Sequence, residues 1–232
     1  MNNLITLDKI SKSFLTNKKI NVLNKINYKF KKGKIYSLVG PSGSGKSTLL
    51  NILSLIDKQS MGKLRIEGKD IIFSDSEVND KIRAKKIGII YQQNNLLPDF
   101  TALENVYLAR LSIENNKKKA VEAAKKIITK MGLIKRINHY PSELSGGEMQ
   151  RIAIARALIN EPEIILADEP TGSLDHSTAK EVFKILYKLK DSNRLIIYAT
   201  HNRFFANMAD CKLEMINGNI KTVNARNKQS KI

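Results

Sequence analysis

Gly40, Pro41, Ser42, Gly43, Ser44, Gly45, Lys46 and Ser47 follow the spacing G-x-x-x-x-G-K-[ST], which is what holding a polyphosphate asks of a polypeptide. The glycines let backbone amides turn inward around the anion, and a helix beginning at Ser47 adds the partial positive charge of its N-terminus. Lys46 offers a point charge to the β and γ phosphates, and the Ser47 hydroxyl completes a Mg²⁺ shell. Thr48, next in the first turn, belongs to the same cradle. Phosphate binding alone leaves kinase, GTPase and transporter chemistry open.

The second half of the chain narrows the choice. Ile164 to Glu169 reads as an apolar strand ending in two adjacent acids, Asp168 and Glu169, which leave the strand end on opposite sides. Asp168 can hold Mg²⁺ through water, while Glu169 can polarise an attacking water as a general base. In Leu144-Ser-Gly-Gly-Glu-Met-Gln150, Ser145 and Glu148 have capping-box spacing, and Gly146 and Gly147 let a ligand approach the backbone of a helix start. The chain already has a phosphate loop, so this second anion site is expected to serve a nucleotide held by another copy.

The elements that must position these residues form an α/β pattern. Ile35 to Val39, Ile87 to Tyr91, Ile164 to Ala167 and Leu195 to Ala199 are short, uniformly apolar runs, suited to parallel strands buried on both faces. Ile26, Tyr28 and Phe30 alternate with polar neighbours as in a half-exposed antiparallel strand. Leu64 and Ile66 before Glu67-Gly68 look similar, and Asn217-Gly218 marks a hairpin. A helix is expected over Ser47 to Ile56. Between Pro98 and Pro141 the pattern is helical, opening on the capping box Thr101 to Glu104 and continuing through Val121 to Met131.

Composition limits the partners. The formal charge of +18 is large, yet lysines are spread along the chain without an aromatic-interleaved patch, so no nucleic-acid partner is expected. One cysteine, Cys211, allows no intramolecular disulfide and no thiolate-rich metal site. The N-terminus lacks the charged and apolar regions of a signal peptide, and no apolar run approaches the roughly 18 residues of a spanning helix. A cytosolic chain that reaches a membrane through a partner is the expectation.

L-S-G-G-x-x-Q at Leu144 to Gln150, followed by D-E-P-T-G-S-L-D at Asp168 to Asp175, resembles the ABC ATPase family over nearly the whole chain. The resemblance implies a P-loop NTPase core with a mainly parallel sheet, a flanking antiparallel β subdomain and a helical insertion at about 98–160, all within one domain of residues 1–223, with a polar tail at 224–232. It implies ATP and Mg²⁺ as ligands, and two copies closing on two nucleotides beneath integral membrane permease subunits, at the cytoplasmic face of the inner membrane. Ser145, Gly146, Gly147 and Gln150 would act on the nucleotide of the second copy. Ser173, Leu174 and Asp175 resemble the D-loop, His201 the switch histidine, and Gln92 the Q-loop glutamine that meets Mg²⁺ beside Ser47 and Asp168.

Two positions depart from the family pattern. Phe14 stands where Tyr usually stacks on adenine, keeping the π face, and Asn202 stands where Asp commonly follows the histidine. Tyr91 to Val106 is similar to the lipoprotein-releasing branch, whose relatives include macrolide-exporter and cell-division ATPases. The branch implies lifting lipidated proteins from the membrane; the macrolide-exporter and cell-division types are the alternatives. A DNA-maintenance head fits poorly, since no heptads separate Ser47 from Ser145. A regulator that hydrolyses nothing would not need Glu169 and His201.

Overall fold

The computed structural model describes residues 3–15 and 18–223; the expected tail at 224–232 lies outside them. Along the chain come β1 (Asn3–Leu15), β2 (Lys19–Lys31), β3 (Ile35–Val39), α1 (Lys46–Leu53), β4 (Met61–Ile66), β5 (Lys69–Asp70), α2 (Ser76–Lys86) and β6 (Ile87–Ile90). Then follow α3 (Ala102–Leu111), α4 (Lys117–Lys130), α5 (Gly146–Leu158), β7 (Ile164–Asp168), α6 (His176–Lys188), β8 (Leu195–Ala199), α7 (Arg203–Ala206), β9 (Cys211–Ile216) and β10 (Asn219–Val223). Two compact units form, one of Met1–Asn79 with Lys190–Ile232, the other of Asp80–Leu189. Among the described residues no helix is long and apolar enough to cross a membrane.

In the first unit β2, β1, β4 and β5 make an antiparallel sheet in that order. The register of β1 on β2 slips between Leu7 and Ile10, where Lys9 takes a φ of 50°; such a bulge keeps Ile10 on the buried face after Leu7. The Asn217-Gly218 turn between β9 and β10 has both φ values positive, 49° and 72°, as a two-residue type I′ hairpin demands. Here β3 runs parallel to both β8 and β9, and all five residues of β8 are buried. Tyr28, Phe30 and Tyr36 clasp β2 to β3, with the Phe30 and Tyr36 rings 5.0 Å apart and edge to face, the geometry that aromatic quadrupoles favour. The Tyr36 hydroxyl accepts from Lys31 N–H at 3.0 Å, and burial pushes its pKa up to about 12.

Helix α1 is shorter than its expected end at Ile56. Leu55 turns left-handed at φ 60°, its N–H bonds Ile52 O at 3.1 Å, and Ile56 N–H reaches back to Asn51 O at 3.0 Å. That pair of bonds is a Schellman stop, and it escapes a sequence reading because leucine occupies the place where glycine usually signals it.

In the second unit β6 and β7 pair in parallel, and α3, α4 and α5 enclose a core in which Ala102, Ala120, Ala124 and Ala155 are fully buried beside Val106, Ile128 and Ile152. Small residues on facing helices permit close approach, and the larger side chains interlock between them. Both expected capping boxes are present, Thr101 with Glu104 and Ser145 with Glu148. Helix α2 has no apolar stripe to announce it; Asn79 is its one buried residue.

Buried Asn105 on α3 ties down the loop that precedes the helix. Its Oδ1 accepts from Leu97 N–H at 2.7 Å, and its Nδ2 donates to the carbonyls of Leu97, Phe100 and Thr101 at 2.9 to 3.1 Å. Since a buried side-chain hydrogen bond contributes about 1 kcal/mol net, Asn105→Ala is expected to lower unfolding stability by about 2 kcal/mol in urea denaturation. A midpoint unchanged at equal slope would show that the loop holds itself.

Candidate functional site

The phosphate loop leaves the carboxyl end of β3, the end of a parallel strand where ligands of open α/β sheets collect. Its backbone can take no other residue type at two places. A Cβ at Gly40 would strike the Met215 carbonyl oxygen, and one at Gly45, where φ is 100°, would lie 2.8 Å from Leu23 Cδ2. Gly45 is also the N-cap of α1, which has no side-chain cap and no acid in its first turn, so the helix start retains amides and positive character for an anion. Lys46 is buried, and its Nζ donates to Gly40 O at 2.9 Å and Pro41 O at 3.1 Å. Ser44 Oγ is buried without a hydrogen-bond partner among the described residues. A buried orphan hydroxyl is rare in native proteins, and here it sits beside the uncapped start of α1, which fits a polyphosphate.

Three further candidates share this unit. Thr200 N–H bonds Leu38 O at 3.1 Å, which brings exposed His201, at the end of β8, level with the start of the phosphate loop. Asn202 caps α7, its Oδ1 accepting from Phe204 and Phe205 N–H at 2.9 and 3.3 Å; asparagine and aspartate cap equally well, so the departure from the family residue leaves this turn intact. Phe14 stands near the end of β1, 43% exposed, with the Lys12 ammonium 4.7 Å from its ring centroid.

The second unit gathers the others. In the β6–β7 pair Ile90 faces Ala167, so Gln92 and Glu169, two residues beyond each, emerge side by side at the carboxyl ends. Glu169 adopts a left-handed φ of 46°, a conformation that costs a non-glycine residue of order 1 kcal/mol and re-aims its side chain from that of Asp168 before it. Gly172 N–H bonds Glu169 O at 2.9 Å, and a Cβ on Gly172 would lie 3.0 Å from Gln92 Nε2. Ser173 Oγ reaches Gln92 O at 3.4 Å. Asp175 caps α6, and bonds from Thr178, then from Ser177, hold its carboxyl far below the usual range.

At the start of α5, Ser145 Oγ accepts from Glu148 N–H at 3.3 Å and Glu148 returns a bond to Ser145 N–H at 2.8 Å. Because the hydroxyl is used as an acceptor, its proton stays available to donate. The Ser145 amide, and after it Arg136 at 2.9 Å, keep Glu148 ionised below the usual carboxylate range. A Cβ on Gly147 would strike Thr178 of α6. Gln150 faces inward instead, buried and donating to Tyr91 O at 3.2 Å.

Arg156 went unnoticed in the sequence. Its guanidinium donates to Asn94 O at 2.7 Å and Asn95 O at 2.6 Å, so α5 fixes the segment just after Gln92 from two places, Gln150 and Arg156. The signal was an arginine inside the apolar run Ile154-Ala-Arg-Ala-Leu158, since a charge on an otherwise buried helix needs partners.

A family model described as "ABC transporter" matches residues 23–172. The chain is 46% identical over 211 residues to a lipoprotein-releasing system ATP-binding protein LolD of Rickettsia bellii (strain RML369-C), covering 90% of this chain and 93% of the relative. To the LolD of Aquifex aeolicus (strain VF5) it is 42% identical, covering 86% and 89%. Among solved structures, the dimeric post-hydrolysis state of the ATP-binding cassette MJ0796 bound to ADP and Pi superposes with a TM-score of 0.89 at 35% identity, over 97% of this chain and 100% of that one. With a glycine-walled phosphate loop, paired strand-end residues and the two-glycine helix start all in place, the chain belongs to the ABC transporter family, as an ATP-binding subunit that hydrolyses ATP.

Proposed function

We propose that this subunit drives release of lipoproteins from the inner membrane, working as a pair of identical ATPase subunits attached to integral permease subunits at the cytoplasmic face. The observation that carries the branch is that relatives from Rickettsia, Wigglesworthia and Aquifex, 42–46% identical over most of their length, bear the lipoprotein-releasing name. The dimeric forms of the MJ0796 cassette support the pairing.

Within the subunit, the backbone amides of Ser42 to Thr48 and the Lys46 ammonium bind the phosphates, and Phe14 stacks on the adenine. Ser47, Gln92 and Asp168 would hold Mg²⁺, an all-oxygen donor set of hydroxyl, amide and carboxylate suited to that hard ion, which supplies charge neutralisation at the β and γ phosphates. Glu169 accepts a proton from the attacking water as its oxygen bonds the γ-phosphorus and the bond to the β–γ bridging oxygen breaks, leaving ADP and phosphate. His201 donates to the γ-phosphate oxygens. Ser145, Gly146 and Gly147 contribute donors to the nucleotide of the second copy, Gln150 holds the segment that begins at Gln92, and Ser173 to Asp175 link the two copies.

Glu169→Gln keeps the size of the side chain and removes its basicity. Turnover is expected to fall by about 10²- to 10⁴-fold while ATP affinity changes less than about threefold, measured by phosphate release and a fluorescent-nucleotide titration. Hydrolysis near the original rate would move the base elsewhere. Phe14→Ala is expected to weaken ATP binding by about 1 to 2 kcal/mol, about 5- to 30-fold in Kd; an unchanged titration curve would remove Phe14 from the adenine platform.

A further inference from the structure

Lys12 is a lysine out of place. It is 8% exposed on a sheet strand, where ammonium groups are rarely buried unless paired. Its Nζ donates to Asp57 Oδ1 at 2.7 Å and to Lys58 O at 2.8 Å, both in the stretch that follows α1, and stands 4.7 Å from the centroid of the Phe14 ring. Lys12 and Phe14 are two apart on β1, where the register on β2 shifts between Lys12 and Ser13, and the cation–ring distance places their side chains together. One side chain therefore joins the aromatic ring to the segment that continues from the phosphate-binding helix.

We propose that Lys12 is a positioning residue for the nucleotide base, setting the orientation and polarity of the Phe14 ring so that the face opposite the ammonium stacks on the base; the proposal rests on the assignment of Phe14 as the base platform. Two arguments carry it. A phenyl face carries negative quadrupole charge, as does the face of an adenine, so bare stacking of the two includes a repulsive component. An ammonium over one face of the ring draws that charge away and makes the opposite face a better partner. In addition, the ammonium is already fixed by Asp57 and Lys58, so ordering the ring costs little entropy when the base arrives.

The test compares a ligand that has a base with one that does not, ATP and inorganic tripolyphosphate, on the full chain. Lys12→Met keeps length and removes charge; it is expected to weaken ATP binding by about three- to tenfold, to leave tripolyphosphate binding unchanged, and to be restored toward the original value by Lys12→Arg. Combined with Phe14→Ala, the losses are expected to be less than additive, because both variants remove the same contact. Unchanged ATP affinity in Lys12→Met, or equal weakening toward both ligands, would overturn the proposal, the second by showing that Lys12 only holds the fold. Phe14→Ala measured alone with the same two ligands separates the two ideas: no change in the preference for ATP over tripolyphosphate removes the platform itself, whereas lost preference in Phe14→Ala with an unaltered Lys12→Met removes only the role of the lysine.

Discussion

A polyphosphate carries several negative charges, and a protein that holds it out of water must replace its hydration with donors that are already in place. In this chain the donors are backbone amides, and that choice dictates much else. Amides can converge only where the chain turns sharply, which requires Gly40 and Gly45, pressed against the Met215 carbonyl and Leu23. The turn can be held still only if the strand feeding it is immobile, and β3, paired in parallel on both edges to β8 and β9, is buried along almost all its length. Helix α1 then starts without a side-chain cap, because a cap would spend the amides that the anion needs.

The start of α5 shows the opposite solution to the same constraint. Ser145 and Glu148 cap each other where Ser145 and Gly146 are exposed, and the Ser145 hydroxyl, used there as an acceptor, keeps its proton. The capping carboxylate stays negative because the Ser145 amide and Arg136 hold it ionised. The pull of Gln150 and Arg156 on Tyr91, Asn94 and Asn95 makes the same helix the anchor of the Gln92 segment, so a displacement of α5 moves that segment with it.

Much of this was legible in the residues. The four apolar runs became β3, β6, β7 and β8 because a parallel strand covered on both faces leaves no room for polar alternation. Both capping boxes and the Asn217-Gly218 hairpin followed from local chemistry that no tertiary contact has to rescue. The misses have equally physical causes. The end of α1 was hidden because Leu55 takes a left-handed turn that sequence reserves for glycine, and α2 because its burial rests on Asn79 alone. Asn105 has no motif to mark it, and Gln150, expected from the family resemblance to act on the nucleotide of the second copy, is buried and donates to Tyr91 O; nothing in a sequence reveals which carbonyls will need donors. Lys12 was one lysine among many until its ammonium was found between a carboxylate, a carbonyl and a ring.

We propose that the nucleotide is shared, so binding energy for ATP becomes energy of association between two copies and is released when the γ-phosphate leaves. The most direct measurement is the molar mass in solution of the hydrolysis-deficient Glu169→Gln chain, by sizing chromatography with light scattering. A mass of two chains with saturating Mg-ATP, and of one chain with ADP or without nucleotide, is the predicted result; a single-chain mass with Mg-ATP bound would contradict the account.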